Sequence, residues 1–271
     1  MNFEYGRPVC EVIDLRHSVR NYTDQAISAD LLHKIASYIE HVTNPFGKTV
    51  RIKLIQKGSE NRDLKLGTYG VIRGANYFLV TACEKDEISY LALGYALEKV
   101  ILYCTSLGLG TVWLGGTFQR GEFAKAIELK EKEVLPIVAP VGYEGGKKTL
   151  LGTIFGNHGK QRKAFEDIFF DKAFAVPLKK ENAGIYGEPL EMLRLAPSAV
   201  NKQPWRVVKD GENIHFYLVA EKGLNHVDLG IGLSHFHVQA MEKGINGTFV
   251  VAKDSHPEHK DYKYQISWIK E

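Results

Sequence analysis

The amino-acid sequence predicts an α+β fold built from two halves, each a sheet flanked by helices. Two observations lead to this class. Segments whose apolar residues recur at helical spacing alternate with short runs that have strand patterns. The second half of the chain also repeats, in weaker form, the order of segments in the first half. The 271 residues, 44% of them hydrophobic, are ample for a packed core.

The first half begins with a predicted helix that Ser28 caps. Alternating apolar and basic residues at 50–54 predict a half-buried strand, and the apolar run at 76–82 predicts a more deeply buried one. Residues 90–107 are apolar on nearly all sides, which is typical of a central helix, and Gly108 ends it.

A helix of mixed charge is predicted at 123–132, followed by a strand at 134–139. Pro136 and Pro140 predict that this strand lies at a sheet edge or a strand end, because proline has no N–H to donate to a ladder. Together these segments predict one sheet with helices around it.

The second half repeats this order. A helix, a loop and a strand recur at a distance of about 158 residues, and residues 229–244 overlay 93–108 at a distance of about 136. The pattern predicts an internal duplication with halves 1–165 and 166–271, packed as an intramolecular pseudo-dimer. Chance similarity of helix and strand order is the alternative.

Composition and charge limit the partners. The net charge is only +3 and acidic and basic residues are interspersed, so we expect no nucleic-acid partner. No apolar run approaches about 18 residues and no signal-peptide pattern opens the chain, so we expect no membrane span and a cytoplasmic location. His235 and His237 stand two apart on a predicted helix and point away from each other, so no metal site is predicted.

The most informative polar motif is the run Arg-His-Ser-Val-Arg at 16–20. Two guanidinium groups, an imidazole and a hydroxyl in one short run are typical of an anion cradle, because arginine offers a planar fork of donors to phosphate oxygens. A solvated loop before a helix is the alternative interpretation.

Three further motifs accompany this run: a glycine-rich stretch at 108–116, Lys-Gln-Arg at 160–162, and Ala-Pro-Ser-Ala-Val-Asn-Lys-Gln-Pro-Trp at 196–205. Together with the run at 16–20, they resemble motifs of the nitroreductase family of FMN-dependent NAD(P)H oxidoreductases. The resemblance covers nearly the whole chain and implies a nitroreductase-like fold. The unusual position of the Ala-Pro-Ser motif follows from the predicted duplication.

The resemblance implies that FMN binds between the halves, with different residues at its phosphate and its ring. The residues implied at the phosphate are Arg16, His17, Ser18, Lys160 and Arg162. The second half would cover the ring with a loop that contains Pro197, Ser198, Ala199 and Asn201. Gln203 and Trp205 are expected to anchor this loop rather than to contact a ligand.

The implied catalytic residues are Arg20, Gly115 and Gly116. Arg20 would lie beside the N1–C2=O edge of the flavin, where negative charge accumulates on reduction. Leu114 and the two glycines would form a turn that lets backbone N–H groups approach N5 and O4.

The implied reaction passes hydride from NAD(P)H, a transient reductant, through FMN to a small organic acceptor such as a nitroaromatic or a quinone. Since each half supplies part of one site, we expect a monomer with one FMN. A non-catalytic FMN- or anion-binding protein of the same fold is the alternative.

Overall fold

The computed structural model describes residues 4–58, 65–145, 161–220, 222–252 and 256–271. Within them the chain forms two five-stranded sheets and the helices that cover them. The helices are α1 (Val9–Leu15), α2 (Ala29–His41), α3 (Glu87–Ser106), α4 (Arg120–Ile127), α5 (Phe165–Ile168), α6 (Gly187–Leu195) and α7 (Asn225–Glu242).

The first sheet contains strands from the first half of the chain. Its strands are β1 (Val50–Gln56), β2 (Tyr77–Glu84), β3 (Gly110–Thr111), β4 (Glu133–Val134) and β5 (Val138–Gly142). They follow the order β1-β2-β5-β3, with β4 also paired to β2, and all of these pairings are antiparallel. The strong alternation at 50–54 thus lies on β1, as the sequence predicts.

The second sheet contains strands from the second half. Its strands are β6 (Phe169–Asp171), β7 (Trp205–Asp210), β8 (Asn213–Leu218), β9 (Gly247–Val250) and β10 (Lys263–Lys270). Their order is β6-β7-β8-β10-β9, in which β6 and β7 run parallel and the other described pairs are antiparallel. The α+β class with two sheet-and-helix halves is confirmed, and the exact boundary at 165 stays a prediction.

The two halves meet through their central helices. α3 packs on β2 of the first sheet, α7 packs on β8 of the second, and the two helices pack directly on each other. A Cβ atom at Gly94 of α3 would lie 2.1 Å from the carbonyl oxygen of Val227, and one at Gly230 of α7 would lie 2.1 Å from that of Leu91. Gly94 and Gly230, and likewise Leu91 and Val227, are 136 residues apart, so the contact is reciprocal, as in a twofold dimer.

Two sequence predictions in the first half are wrong in detail. The helix predicted at 123–132 is α4, which begins at Arg120 and ends at Ile127, because Glu128 takes a left-handed conformation with a φ of 54°. The strand predicted at 134–139 is split into β4 and β5, with Pro136 in the break between them, which agrees with the predicted strand end. The predicted edge is wrong, because β5 lies between β2 and β3. Pro140 fits there because the described pairing with β3 covers Val141 and Gly142 but not Pro140.

Other predicted elements are confirmed. Ser28 caps α2 by accepting a hydrogen bond from the backbone N–H of Leu31 at 3.3 Å, and Gly108 follows α3 with a φ of 79°. Among the described residues, none of the helices combines the length and apolar character that crossing a membrane requires.

Candidate functional site

The run at 16–20 lies beside the glycine-rich stretch. It leaves the end of α1 and runs next to β3, where the backbone N–H of Val19 donates to the carbonyl oxygen of Thr111 at 2.9 Å. Gly110 permits this approach, because a Cβ there would lie 2.5 Å from a methyl carbon of Val19. Two motifs about 90 residues apart in sequence are therefore neighbours in space.

Arg16 is the buried cation of this region. Its side chain is 7% exposed, and its Nε lies 3.9 Å from Oε1 of Glu98, too far for a hydrogen bond. Nε has no hydrogen-bond partner among the described residues. Burial lowers the pKa of Arg16, and the nearby Glu98 carboxylate partly offsets this shift. A buried guanidinium with an unpartnered donor is the arrangement expected where an anion binds.

Arg162 lies close to Arg16 and also holds the second half in place. Its Nε and Nη2 donate to the carbonyl oxygen of Leu195 at 3.2 and 2.9 Å, and its Nη1 donates to Oδ1 of Asn201 at 3.0 Å. Burial, followed by the charges of Arg16 and Arg194, lowers the pKa of Arg162 to about 10. The influence of Arg16 on this pKa agrees with a short distance between the two guanidinium groups, and the hydrogen bonds give Arg162 a structural role that the sequence did not indicate.

The loop that contains Ala199 and Asn201 closes one side of this region. Val200, Asn201 and Gln203 all have positive φ values, of 46°, 57° and 50°. Such conformations are uncommon for residues other than glycine and concentrate at functional sites. The loop and residues 161–163 line an open crevice with a volume of about 360 Å³.

Hydrogen bonds hold the loop in this strained shape. The hydroxyl of Ser198 accepts from the backbone N–H of Gln203 at 2.8 Å, and Nδ2 of Asn201 donates to the carbonyl oxygen of Gln161 at 2.6 Å. Gln203 is 3% exposed and accepts from the backbone N–H of Lys163 at 2.8 Å. The side chain of Trp205 is fully buried in the core. The contacts of Gln203 agree with its predicted anchoring role, and Trp205 is a core aromatic residue. That neither residue contacts a ligand stays a prediction.

Asp228 supports the same loop from α7. Its Oδ1 accepts from the backbone N–H of Ala199 at 3.0 Å, while its Oδ2 is buried without a partner among the described residues. Burial raises the pKa of Asp228 to about 7, although the bond from Ala199 opposes the shift. Sequence reasoning did not identify this contact, because 29 residues separate the two positions.

The glycine turn combines one fixed and two accessible residues. Leu114 is buried and exchanges two backbone hydrogen bonds with Val138, at 2.9 and 3.0 Å. Gly115 and Gly116 are exposed. A Cβ at Gly115 would lie 2.9 Å from Cδ1 of Leu224 in the second half, whereas one at Gly116 would meet nothing within 4 Å. The turn thus presents accessible backbone at the boundary between the halves.

The remaining predicted residues differ in their surroundings. The ring of His17 is exposed and contacts the carbonyl oxygen of Leu15 at 2.9 Å and the carboxylate of Glu144 at 2.7 Å. Ser18 is exposed. Arg20 is half-buried, and burial lowers its pKa while Tyr22 opposes the shift. Pro197 is half-buried at the start of the loop, and Lys160 lies outside the described residues.

Glu98 connects the parts of the site, although the sequence analysis did not single it out. Its fully buried carboxylate lies near Arg16, accepts from Nε1 of Trp113 at 2.9 Å, and contacts Nε2 of His235 at 2.8 Å. Trp113 precedes the glycine turn, and His235 belongs to α7. The signal available in the sequence was an acidic residue in the middle of a helix that is apolar on nearly all sides.

His235 and His237 enter separate contacts, as their spacing predicts. Nδ1 of His237 contacts the hydroxyl of Tyr95 at 2.6 Å, and burial lowers the pKa of His237 to about 4. Over the described ranges, no group of three or more histidine, cysteine, aspartate or glutamate residues has the arrangement of a metal site.

Comparison with known families identifies the chain. The family model described as "Putative TM nitroreductase" matches residues 8–240. The chain belongs to this nitroreductase family. The predicted family and the nitroreductase-like fold are therefore confirmed.

Solved structures of nitroreductases resemble the chain to different extents. A Thermotoga maritima protein, described as a putative nitroreductase, is 19% identical, with 99% of this chain and 96% of that one covered and a TM-score of 0.66. A nitroreductase family protein from Clostridium difficile is 20% identical over 62% of this chain and 96% of its own, with a TM-score of 0.46. A Bacteroides fragilis nitroreductase with bound FMN is 18% identical over 53% of this chain and 95% of its own, with a TM-score of 0.42. No curated protein matches the chain.

In this nitroreductase-family chain, the first half contains Glu98, Trp113 and the exposed glycines, and the aligned part of the second half has other residues at the matching positions. At the 136-residue distance that relates Gly94 to Gly230, Ser234 stands in place of Glu98 and Phe249 in place of Trp113. Val251 and Ala252 stand in place of the two exposed glycines. The second half therefore lacks the acid, the indole N–H and the glycine turn at the matching positions.

Proposed function

We propose that the protein is an FMN-dependent oxidoreductase that passes electrons from NAD(P)H to a small organic acceptor. The observation that carries the proposal is the buried guanidinium of Arg16, whose Nε has no partner among the described residues, close to the half-buried Arg162. The two cations lie close together, and no carboxylate among the described residues forms a hydrogen bond with Arg16. The dianionic phosphate of FMN supplies the missing partner.

The other residues fit the rest of this cofactor. Ser18 is exposed next to the cations and offers a hydroxyl to the phosphate. Gly116 leaves open space where a side chain would stand, so a flat ring has access to the backbone of the turn. The loop from Pro197 to Asn201, whose strained shape is held by hydrogen bonds, would cover the ring from the second half.

When bound, FMN supplies the hydride and electron chemistry. The residues of this chain supply binding, orientation and electrostatics. Arg16 and Arg162 would hold the phosphate, and the loop would restrict water at the ring. Arg20 would place a positive charge beside the N1–C2=O edge, where it would stabilise negative charge that develops on reduction.

The absorption spectrum of the purified protein, recorded before and after addition of NADH or NADPH, tests the proposal. We expect a flavin spectrum that bleaches with one of the two reductants and returns when an acceptor is added. A flavin spectrum that neither reductant bleaches would instead favour a non-catalytic flavin-binding protein. Absence of flavin binding, even after incubation with FMN, would refute both.

A pair of arginine variants tests the phosphate assignment. Arg16→Ala should weaken FMN binding by roughly tenfold to a hundredfold, since a hydrogen bond to a charged group is lost. Arg7→Ala is the control, because Arg7 is exposed and its loss changes the net charge equally. Equal affinities in the two variants would contradict the assignment.

We also propose that the chain arose by duplication and acts as a monomer with one FMN. The reciprocal Gly94 and Gly230 contacts support a pseudo-twofold relation, and the single set of site features supports one FMN. Light scattering combined with the flavin released per chain by acid tests this. Two flavins per chain, or an obligate dimer, would refute it.

A further inference from the structure

A buried carboxylate on α3 links three elements that surround the proposed cofactor. Glu98 is fully buried, and so is the side chain of His235, which it contacts at 2.8 Å. Its other oxygen accepts from Nε1 of Trp113 at 2.9 Å, one residue before the glycine turn. Arg16 lies 3.9 Å away, in charge contact without a hydrogen bond.

The surroundings of His235 determine the charge of this pair. Nδ1 of His235 faces the carbonyl oxygen of Met192 at 3.0 Å, and a carbonyl only accepts, so Nδ1 carries a proton. The contact between Nε2 and the carboxylate, at 2.8 Å, needs a second proton between the two atoms. Whichever of them holds that proton, Glu98 and His235 together are neutral.

Because the Glu98–His235 pair is neutral, the positive charge of Arg16 remains available to an anion. With His235 in place, the cluster of Arg16, Glu98 and His235 has a net charge of +1. Without His235 to share that proton, the Glu98 carboxylate would be an unpaired buried charge, and Arg16 is a cation within reach of it. Arg16 would then pair with Glu98 and the net charge of the cluster would be zero.

We propose that His235 and Glu98 are positioning residues for the anion site: His235 neutralises Glu98, so that the guanidinium of Arg16 remains for the phosphate, while Glu98 fixes Trp113 and the turn behind it. The inference rests on the proposed function. The second half does not repeat the arrangement, since Ser234 and Phe249 stand at the positions that match Glu98 and Trp113. The pair thus belongs to the one proposed site and makes it depend on both central helices.

Four proteins test the proposal: the wild type, His235→Gln, Glu98→Gln and the double variant. The cluster has a net charge of +1 in the wild type, in Glu98→Gln and in the double variant, and zero in His235→Gln alone. Glutamine at 98 keeps a carbonyl oxygen to accept from Trp113. The quantity measured is the dissociation constant of FMN and of riboflavin, which has the same ring without the phosphate.

We expect His235→Gln to weaken FMN binding by about tenfold or more, with riboflavin changed less than about threefold. Glu98→Gln and the double variant should keep the wild-type preference for FMN over riboflavin. If the double variant has lost that preference as fully as His235→Gln, or if His235→Gln weakens both ligands equally, the proposal is wrong. If His235→Gln does not fold, a reduced FMN preference in Glu98→Gln refutes it equally.

A phosphate arm separates this inference from the proposed function. The thermal stabilisation of all four proteins by inorganic phosphate is measured in parallel. If the wild type is stabilised by phosphate but binds no FMN, the proposed function fails, and the loss of phosphate stabilisation in His235→Gln alone still supports the charge assignment. If phosphate stabilises all four equally, the assignment fails whatever the result with FMN.

Discussion

The contact between α3 and α7 leaves no space for a side chain at Gly94, and this makes a sharp test of the pseudo-dimer packing. In Gly94→Ala, the new methyl carbon would lie 2.1 Å from the carbonyl oxygen of Val227. A normal carbon–oxygen contact is about 3.3 Å, so the two backbones would have to separate locally by about 1.2 Å. The obstacle is backbone, which cannot rotate away as a flexible side chain would.

The cost follows from two opposing effects. Overpacking by one methyl group in a well-packed core costs about 1–3 kcal/mol, and an obstacle of this kind places the cost at the upper end. Alanine is more favourable than glycine within a helix by about 1 kcal/mol. We therefore expect Gly94→Ala to lower the free energy of unfolding by about 2 kcal/mol. Gly230→Ala should do the same, because its Cβ would lie 2.1 Å from the carbonyl oxygen of Leu91.

Gly232 in α7 provides the matched control. Its Cβ would lie 3.4 Å from Cγ of Leu193, an ordinary contact, so Gly232→Ala should gain helix stability without a clash. Urea unfolding monitored by circular dichroism measures all three variants. The destabilisation in the double variant of Gly94 and Gly230 should be less than the sum, since one separation relieves both contacts. If Gly94→Ala is as stable as Gly232→Ala, the close packing of the halves is refuted.

Three further predictions concern the site. Arg20→Ala should leave FMN bound but lower its reduction potential and slow hydride uptake; an unchanged potential measured by dye equilibration would contradict the role assigned to Arg20. Gly116→Ala should not change the melting temperature, because its Cβ meets nothing within 4 Å, yet should weaken FMN binding measured by fluorescence; unchanged affinity would argue against a ring at the turn. Burial raises the pKa of Asp228 from about 3.9 in the unfolded chain to about 7, so the native state binds more protons between these values and its stability falls as the pH rises through them. Relative to the wild type, Asp228→Asn should therefore gain about 1–3 kcal/mol in unfolding free energy between pH 5 and pH 8, and denaturant titrations showing a constant difference would exclude this ionisation.

Predictions from local patterns agree best with the structure. Three such predictions are confirmed: the cap at Ser28, the strand at 50–54 and the glycine after α3. Each of them depends on residues that are close together in the sequence. Of the two positions predicted from the prolines, a sheet edge or a strand end, the edge is wrong. Pro140 is tolerated inside the sheet because it pairs with Phe78 of β2 on one side, while the described pairing with β3 on the other side does not include it. Single-sequence patterns do not show which side of a strand lacks a partner.

The sequence by itself determined the α+β class, the basic run at 16–20, the glycine-rich stretch at 108–116 and the family, because these are properties of short segments and of their order. Only the tertiary structure decided that Arg162 bonds Leu195 and Asn201, and that Glu98 meets His235 across 137 residues of chain. These contacts depend on how α3 and α7 pack. That packing depends on the close approach of two backbones at Gly94 and Gly230, which no local pattern specifies.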